Sequence, residues 1–333
     1  MKSSIIEKIS KARCARVSRR PKLKFVVGPQ EAGMRVDVFL TAKLTDTSRS
    51  RVRGWVRGRD IRSDRRPLKP SSSLQAGERL ELELPQLEGG EIEMPPPPPV
   101  LYQDADIVAY DKPSGLLAHP SGGTFAYGLI NLAREAFPGE ALHLLHRLDR
   151  ETSGVSLLAR SELANVSVKQ AFKEREVLKT YHAIVRGRVP WDQQDVDAPI
   201  GSIPGSIIRI KQAVVSGGQP ARTEVRVLAR FPRLTLVSCR PHTGRTHQIR
   251  VHLEHLGFPI LGDRLYGQEP DVFLGLLEGH PVSRLRQRLG HPRHCLHARA
   301  LHLRHPRSGE VLSLRAPMPP DMARVLVRAQ AGR

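Results

Sequence analysis

Cysteine, aromatic residues, acids and long apolar runs are all scarce in this chain, and each scarcity excludes something. Cys14, Cys239 and Cys295 stand far apart with no Cys-x-x-Cys spacing. Such an odd, scattered set supplies neither a disulfide framework nor a thiolate metal cage, and it fits a reducing compartment. No run of about eighteen apolar residues occurs, so no membrane span is expected. The N-terminus lacks the apolar core of a secretory signal. No Gly-rich loop ends in Lys-Ser or Lys-Thr, which argues against nucleotide hydrolysis. Acids are outnumbered, with 33 Asp and Glu against 53 Lys and Arg in 333 residues, a formal charge of +20. The excess points to a polyanionic partner, because neutralised phosphates release counterions and tie affinity to salt. Charge alone separates RNA from neither DNA, heparin nor acidic lipid, and a merely soluble, highly charged surface has the same composition.

The length accommodates one large domain and a small one. Residues 1–30 show no sustained periodicity and are expected to be a flexible basic tail. Ile5, Ile6 and Ile9 at helical spacing among Arg, Lys and Ser leave a mitochondrial transit peptide as a minor alternative to a cytoplasmic, bacterial-type location. Val36, Phe39, Leu40 and Leu44 predict a short amphipathic helix. Ser48 offers an N-cap for a second helix that turns Val52, Trp55 and Val56 inward and Arg49, Arg51, Arg53 and Arg57 outward. Arg79 to Leu84 alternates as a half-buried strand does. A small domain over 31–87 therefore precedes a Gly/Glu/Pro linker at 88–99, whose run Pro95 to Pro99 favours extended geometry. A larger domain follows over 100–325. Strands are predicted at Leu101–Tyr110, Val177–Val185, Arg222–Leu228, Leu234–Cys239 and Ala300–Arg304. Helices are predicted around Leu129–Ala136, after Ser161, and over Thr246–Leu256 with Thr246 as N-cap and Gly257 past the end. Several strand pairs lack an intervening helix, which indicates an α+β fold rather than a doubly wound parallel sheet. Residues 268–292 look like an insertion.

The most informative run is His146-Arg147-Leu148-Asp149-Arg150-Glu151-Thr152-Ser153-Gly154. It places one carboxylate between two guanidinium groups. An opposite charge within a few ångströms lowers an Asp pKa by about 1–3 units, so Asp149 is expected to stay ionised. Such an acid in a basic chain suits a nucleophile or base aimed at a polyanion. For an isolated Leu-Asp-Arg a surface ion pair or a turn cap is the better account, and it is the full run of nine that reverses the preference.

The whole run resembles the second motif of the RluA-type pseudouridine synthases, which isomerise uridine in structured RNA. Val100 to Gly115, with Lys112-Pro113 and then His119-Pro120, resembles the family's opening strand and turn. Lys179-Thr180-Tyr181 resembles its Tyr motif. Thr243-Gly244-Arg245-Thr246-His247-Gln248-Ile249-Arg250 resembles its third motif, and Leu296-His297-Ala298 its closing strand. The match runs in order from about residue 34 to 320. The small domain resembles, less closely, the S-four-like RNA-binding domain of a ribosomal protein and several RNA-modifying enzymes.

The resemblance implies a pseudouridine synthase fold, a large mixed and mostly antiparallel sheet with flanking helices and a central cleft. It also implies a reaction without cofactor or metal, because breaking the N-glycosidic bond and rejoining the base through carbon five involves no redox change. Asp149 would attack the anomeric carbon or abstract a ribose proton. Tyr181 would take the proton from carbon five or stack beneath the base. Arg250 would pair with Asp149. Arg147 would fill the gap left by a flipped base or hold the charge of Asp149. Arg245 is expected to contact phosphate, with His146, Arg150, Lys179, His247, Gln248 and the small domain's Arg49, Arg51 and Arg53 as further RNA contacts. The histidines from His146 to His297 are scattered without acidic partners at metal-ligand spacing and are expected to be structural or RNA-facing. The implied partner is RNA, with ribosomal RNA of the 23S type favoured over tRNA and the protein acting as a monomer. A non-catalytic RNA-binding assembly factor and a nucleic-acid glycosidase or nuclease are the competing classes; a glycosidase needs a second carboxylate, for which Glu151 is the close candidate.

Overall fold

The computed structural model describes residues 22–43, 49–83, 97–119, 128–208, 210–277 and 287–332. Among them, contacts define two compact units, residues up to 97 with 119–136, and residues 98–118 with 137 onward. The division falls within the proline run, and segment 119–136 groups with the first unit rather than the second.

In the first unit, β1 (Lys22–Val26), β2 (Ile61–Ser63) and β3 (Arg79–Glu83) form a three-stranded antiparallel sheet in the order β1-β3-β2. Helices α1 (Val36–Lys43) and α2 (Arg49–Arg57) contribute Val36, Phe39, Leu40, Val52, Trp55 and Val56 to its core. The inward stripes are those the spacing predicted. Strand β1 corrects the expected tail, which cannot extend through residues 22–30. Its register against β3, from Lys22↔Glu83 to Val26↔Arg79, pairs Lys24 with Glu81, so a basic segment gains both ladder bonds and cross-strand charges. Too few residues alternate there for the pattern to stand out. The expected cap Ser48, residues 1–21, Leu44 and Leu84, and the side chains of Arg49 and Arg51, lie outside what the structure describes. Arg53 is not free to face a ligand with its whole head group, since its Nε donates to the buried Asp37 at 2.8 Å. Helix α3 (Leu129–Ala136) buries Leu129, Ile130, Leu132 and Ala133.

The second unit is built on a ten-stranded sheet. Its strands are β4 (Val100–Gln103), β5 (Ile107–Lys112), β6 (His143–Leu144), β7 (Ser153–Ala159), β8 (Leu178–Arg186), β9 (Gln193–Asp197), β12 (Arg222–Arg230), β13 (Leu234–Pro241), β14 (Leu296–Arg304) and β15 (Val311–Arg315). The order is β4-β5-β7-β14-β8-β13-β12-β9, with β15 on β14 and β6 on β7. Every pairing is antiparallel except β7 with β14. This is the mixed, mostly antiparallel α+β architecture that the resemblance implied. A small hairpin, β10 (Ile200–Ser202) with β11 (Gln212–Val214), stands apart from the sheet.

The expected single strand over Leu101–Tyr110 is a hairpin instead. Asp104 breaks it, its Oδ1 accepting the N–H groups of Asp106 and Ile107 at 2.7 and 2.8 Å, the local competition that makes Asp a turn former. Ser161 caps α4 (Glu162–Lys173) as predicted, its Oγ accepting Ala164 N–H. Ala164 and Val168 pack on Val155 and Leu157 of β7.

Helix α5 (Gln248–His255) starts later than predicted. Thr246 does not cap it. His247 does, at φ 57°, without a side-chain cap bond. Ile249 and Leu253 pack on Ala183, Val185 and Val237 of the sheet, and Val251 packs on Ile200 and Leu265 from the other side. Each such buried side chain contributes about 1.5–3 kcal/mol, which fixes the helix between two apolar surfaces. Helices α6 (Pro270–Leu277) and α7 (Pro320–Gln330) complete the unit. The former lies in the expected insertion, of which residues 278–286 lie outside the described residues.

Candidate active site

Asp149 lies on the loop that joins β6 to β7, and that loop is fastened from below. Thr152 N–H returns to the Asp149 carbonyl at 3.0 Å. The Arg150 carbonyl accepts Gly115 N–H at 2.8 Å and Lys112 Nζ at 3.2 Å. Lys112, with no exposed surface, spends its ammonium on that carbonyl and those of Pro113 and Leu116. Burial, with the Arg293 charge, lowers its pKa to about 7 against the opposing pull of Asp149. Arg293 holds the Glu151 carbonyl and is itself held by Asp321 at 2.6 Å. The Glu151 carboxylate pairs with Arg264 at 3.0 Å. Gly154 then enters the sheet at φ 109°, where a Cβ would come within 2.2 Å of the Ala298 carbonyl oxygen. No other residue fits that crossing.

Neither neighbouring arginine pairs with Asp149, which corrects the expectation drawn from the linear run. Arg147 and Arg150 are exposed, while Leu148, between Arg147 and the acid, is buried. The partner is Arg250 on α5, whose Nη1 lies 3.0 Å from Asp149 Oδ2. The other edge of the same guanidinium is clamped by Asp263, at 2.6 Å from Nε and 2.9 Å from Nη2. Asp263 has no exposed surface, and its Oδ1 also accepts the N–H groups of Leu265 and Tyr266. The Tyr266 ring lies under the guanidinium at 4.8 Å, a distance at which a cation and an aromatic face attract.

One arginine therefore serves two carboxylates. Burial would raise the pKa of Asp149, but the Arg250 charge and hydrogen bond outweigh it and hold the acid below its ordinary 3.8. Burial also opposes ionisation of Asp263, which Arg250 nevertheless depresses to about 2. Burial works against Arg250 as well, yet the two acids raise its pKa, so it remains charged.

His247 Nε2 stands 4.0 Å from Asp149 Oδ2, and its Nδ1 meets Tyr266 Oη at 2.9 Å. Tyr266 Oη already accepts Gln212 N–H. Donation of the phenol proton to Nδ1 corresponds to the Nε2–H tautomer of His247. Burial, followed by the Arg250 charge, keeps the imidazole neutral by lowering its pKa. Its left-handed backbone is strained for a side-chain-bearing residue and aims the ring at the acid.

An open cleft of about 570 Å³ lies over Asp149, within the range of small-ligand sites. Arg147, Lys173, Arg175, Lys179 and Arg245 line it, and Asp149 is the one carboxylate among its described lining residues. Tyr181 forms part of the wall, placed mid-sheet opposite Cys239 and Ala298. Burial first, and then the Asp149 charge, push its phenol pKa well up. It is therefore a neutral group at physiological pH.

The remaining predicted contacts divide. Arg147 makes no side-chain bond among the described residues and faces the cleft. Lys179 Nζ reaches the Thr243 carbonyl at 3.3 Å, and Arg245 Nε donates to the Pro220 carbonyl at 3.0 Å. His146 is committed to the scaffold: its Nε2 accepts Leu157 N–H and its ring stacks on Phe172. Burial, with Lys179, lowers its pKa to about 4 and keeps it neutral. Gln248 is committed likewise. Its amide donates to Arg222 O and Thr223 Oγ1, and its Oε1 accepts from Thr243 Oγ1 and Arg245 N–H. Arg150 points outward and contributes its carbonyl to the loop.

Sequence reasoning missed Asp263 and Tyr266. They sit in Gly262-Asp263-Arg264-Leu265-Tyr266-Gly267, an acid and an aromatic between glycines in a chain poor in both, and that scarcity was the available signal. The clustered histidines have protein partners: His252 bonds Thr223 and Ala198, His294 bonds Thr152, and His297 bonds Ser153. Asp104, Asp106 and His305 approach one another as metal ligands do. Their oxygens are already engaged, by Arg307 and Ser161 on Asp106 and by Tyr102 and His305 on Asp104.

A sequence profile described as RNA pseudouridylate synthase matches residues 106–255. The chain is 36% identical over 256 residues to "Ribosomal large subunit pseudouridine synthase D" of Nitrosomonas europaea, covering 75% of this chain and 74% of that protein. It is 32% identical over 246 residues to "Uncharacterized RNA pseudouridine synthase YlyB" of Bacillus subtilis, covering 72% and 80%. Among solved structures, "Human RNA Pseudouridylate Synthase Domain Containing 4" superposes with a TM-score of 0.53 at 30% identity, over 69% of this chain and 92% of that one. The chain belongs to the RluA-type RNA pseudouridylate synthase family. It is an isomerase acting on RNA, and the assembly-factor, glycosidase and nuclease readings are not favoured.

Proposed function

We propose that this enzyme converts specific uridines of large-subunit ribosomal RNA to pseudouridine, with Asp149 as the essential carboxylate. The observation that carries the reading is the Arg250 guanidinium, gripped by Asp263 and presenting one N–H to Asp149 at 3.0 Å over a cationic cleft. The ribosomal substrate is supported by relatives named for it in Nitrosomonas europaea and Pseudomonas aeruginosa.

The target uridine leaves its stack at a cost of a few kcal/mol, and the unpaired Arg147 fills its place. The ionised Asp149 meets the ribose, where it serves either route of cleavage, attack at the anomeric carbon or removal of a ribose proton. The bonding pair leaves with the uracil nitrogen. The base rotates, carbon five bonds to the anomeric carbon, and the proton on carbon five departs. Tyr181, held protonated, walls and orients the base. The regenerated Asp149, the anionic base in the cleft, takes the carbon-five proton and gives it up again as the nitrogen freed by cleavage is protonated, so the isomer forms with no net change in protons. Lys179 and Arg245 hold phosphates. The small domain, S-four-like in its pairing of a basic helix with a short sheet, binds RNA backbone through Arg49, Arg51 and part of Arg53. The enzyme works as a monomer in the cytoplasm and needs no cofactor.

Mapping pseudouridines in total RNA with and without the protein tests this directly. The reading expects discrete large-subunit positions to depend on it. Loss confined to tRNA would refute the substrate, and no loss anywhere would refute the activity.

A further inference from the structure

Beside the main cleft lies a second cavity of about 250 Å³, in which Val177, Leu178, Arg222 and Arg240 have no part in the reaction described above. Val177, Leu178 and Pro241 give it an apolar floor, and Arg175, Arg222 and Arg240 a cationic rim. Leu178 is 52% exposed although it lies in a strand of the central sheet. Arg175 ends α4 at φ 65°, a left-handed position where Gly is favoured. That backbone belongs to the helix closure, with Glu176 N–H returning to the Ala171 carbonyl at 2.9 Å and Arg175 N–H to that of Phe172 at 3.3 Å. Among the described residues, neither Arg175 nor Arg240 makes a side-chain ion pair or hydrogen bond. Glu224 stands across from Arg240 in the strand register without pairing to it, and Arg222 is matched by Asp195 at 2.5 Å. The cavity shares Arg175, Lys179, Pro241 and His242 with the active cleft, so the two are continuous.

We infer that this cavity is a second nucleotide subsite, which takes a residue of the substrate RNA flanking the flipped uridine. Its base lies on the Leu178 floor and its phosphate meets Arg175 and Arg240. The inference rests on the RNA-isomerase reading and adds to it where the neighbouring strand runs. It also gives the enzyme a grip on the target's neighbour that persists while the target base rotates.

The test uses full-length protein and an unmodified transcript of bacterial 23S ribosomal RNA. Removing two phosphate contacts with Arg175→Ala/Arg240→Ala should flatten the log–log salt dependence of binding by about 1.4, taking roughly 0.7 per contact on a single strand. KM should rise on the order of tenfold, the factor equivalent to about 1.4 kcal/mol, and Arg240→Ala alone, at a residue outside the active cleft, should leave kcat within about twofold while raising KM. Leu178→Ser should raise KM without altering the salt slope, because it removes a base contact and no charge. A double variant with wild-type KM and salt slope overturns the subsite, as does a fall in kcat at unchanged KM. Binding and its salt slope are read without turnover, so an inactive wild-type protein would overturn the function reading while these measurements still judged the subsite.

Discussion

Arg250→Met should destabilise the protein far more than loss of one active-site contact suggests, because it strands Asp263. Asp149 is about a third exposed and can turn to water, whereas Asp263 has no exposed surface. Removing one partner of a buried pair costs about 3–5 kcal/mol. At about 2–4 °C per kcal/mol for a domain of this size, the melting temperature should fall by roughly 6–20 °C. The sign with pH follows from the depressed pKa. In the wild type, Asp263 at about 2 against its ordinary 3.8 contributes stability above the unfolded value, lost as pH falls toward 2. In the variant, burial raises that pKa instead, so the deficit is largest at neutral pH and shrinks on acidification as Asp263 protonates. Arg250→Met combined with Asp263→Asn removes the stranded charge and should recover most of the loss. Urea denaturation of the wild type, the two single variants and the double variant from pH 4 to 8 measures this. An Arg250→Met protein within about 1 kcal/mol of wild type, or a double variant no more stable than Arg250→Met alone, would refute the reasoning.

Three further outcomes follow from other parts of the structure. Between pH 8 and 10, kcat should not climb with a tyrosinate fraction, because burial and the Asp149 charge hold the Tyr181 phenol protonated; a rise that Tyr181→Phe removes would make it a base. Gly154→Ala should cost more than about 3 kcal/mol, since the new Cβ meets the Ala298 backbone at 2.2 Å; soluble protein with unchanged melting would contradict that geometry. Deleting residues 1–94 should weaken or retarget RNA binding while sparing some activity on short substrates, and unchanged substrate choice would remove the small domain from recognition.

The sequence carried the framework wherever periodicity was long or a motif was local. The inward stripes of α1, α2 and α4 and the sheet class were legible, as was the pairing of Arg250 with Asp149 implied by the family resemblance. What it concealed was long-range or locally overridden. Proximity in the chain misled: Arg147 and Arg150 leave Asp149 unpaired, and its partner 101 positions away was reached through the family resemblance rather than through the local run. The strand break at Asp104 depends on a side-chain bond that hydropathy does not register. The start of α5 depends on a strained His247 rather than on a capping residue. His146 and Gln248 looked like ligand contacts because they are polar and lie in motifs, yet buried hydrogen bonds commit both to the scaffold. Asp263 was overlooked although its glycine-bracketed segment is unusual in this chain, because the partner that gives it a role, Arg250, stands 13 positions away on another element.

The account depends most on the Asp149 carboxylate, which Asp149→Asn removes while preserving shape. Pseudouridine formation in an unmodified large-subunit ribosomal RNA transcript should fall to background, with RNA affinity changed less than about twofold and folding intact, since the carboxylate contributes chemistry rather than grip. An Asp149→Asn protein that isomerises uridine at a rate near wild type would contradict it.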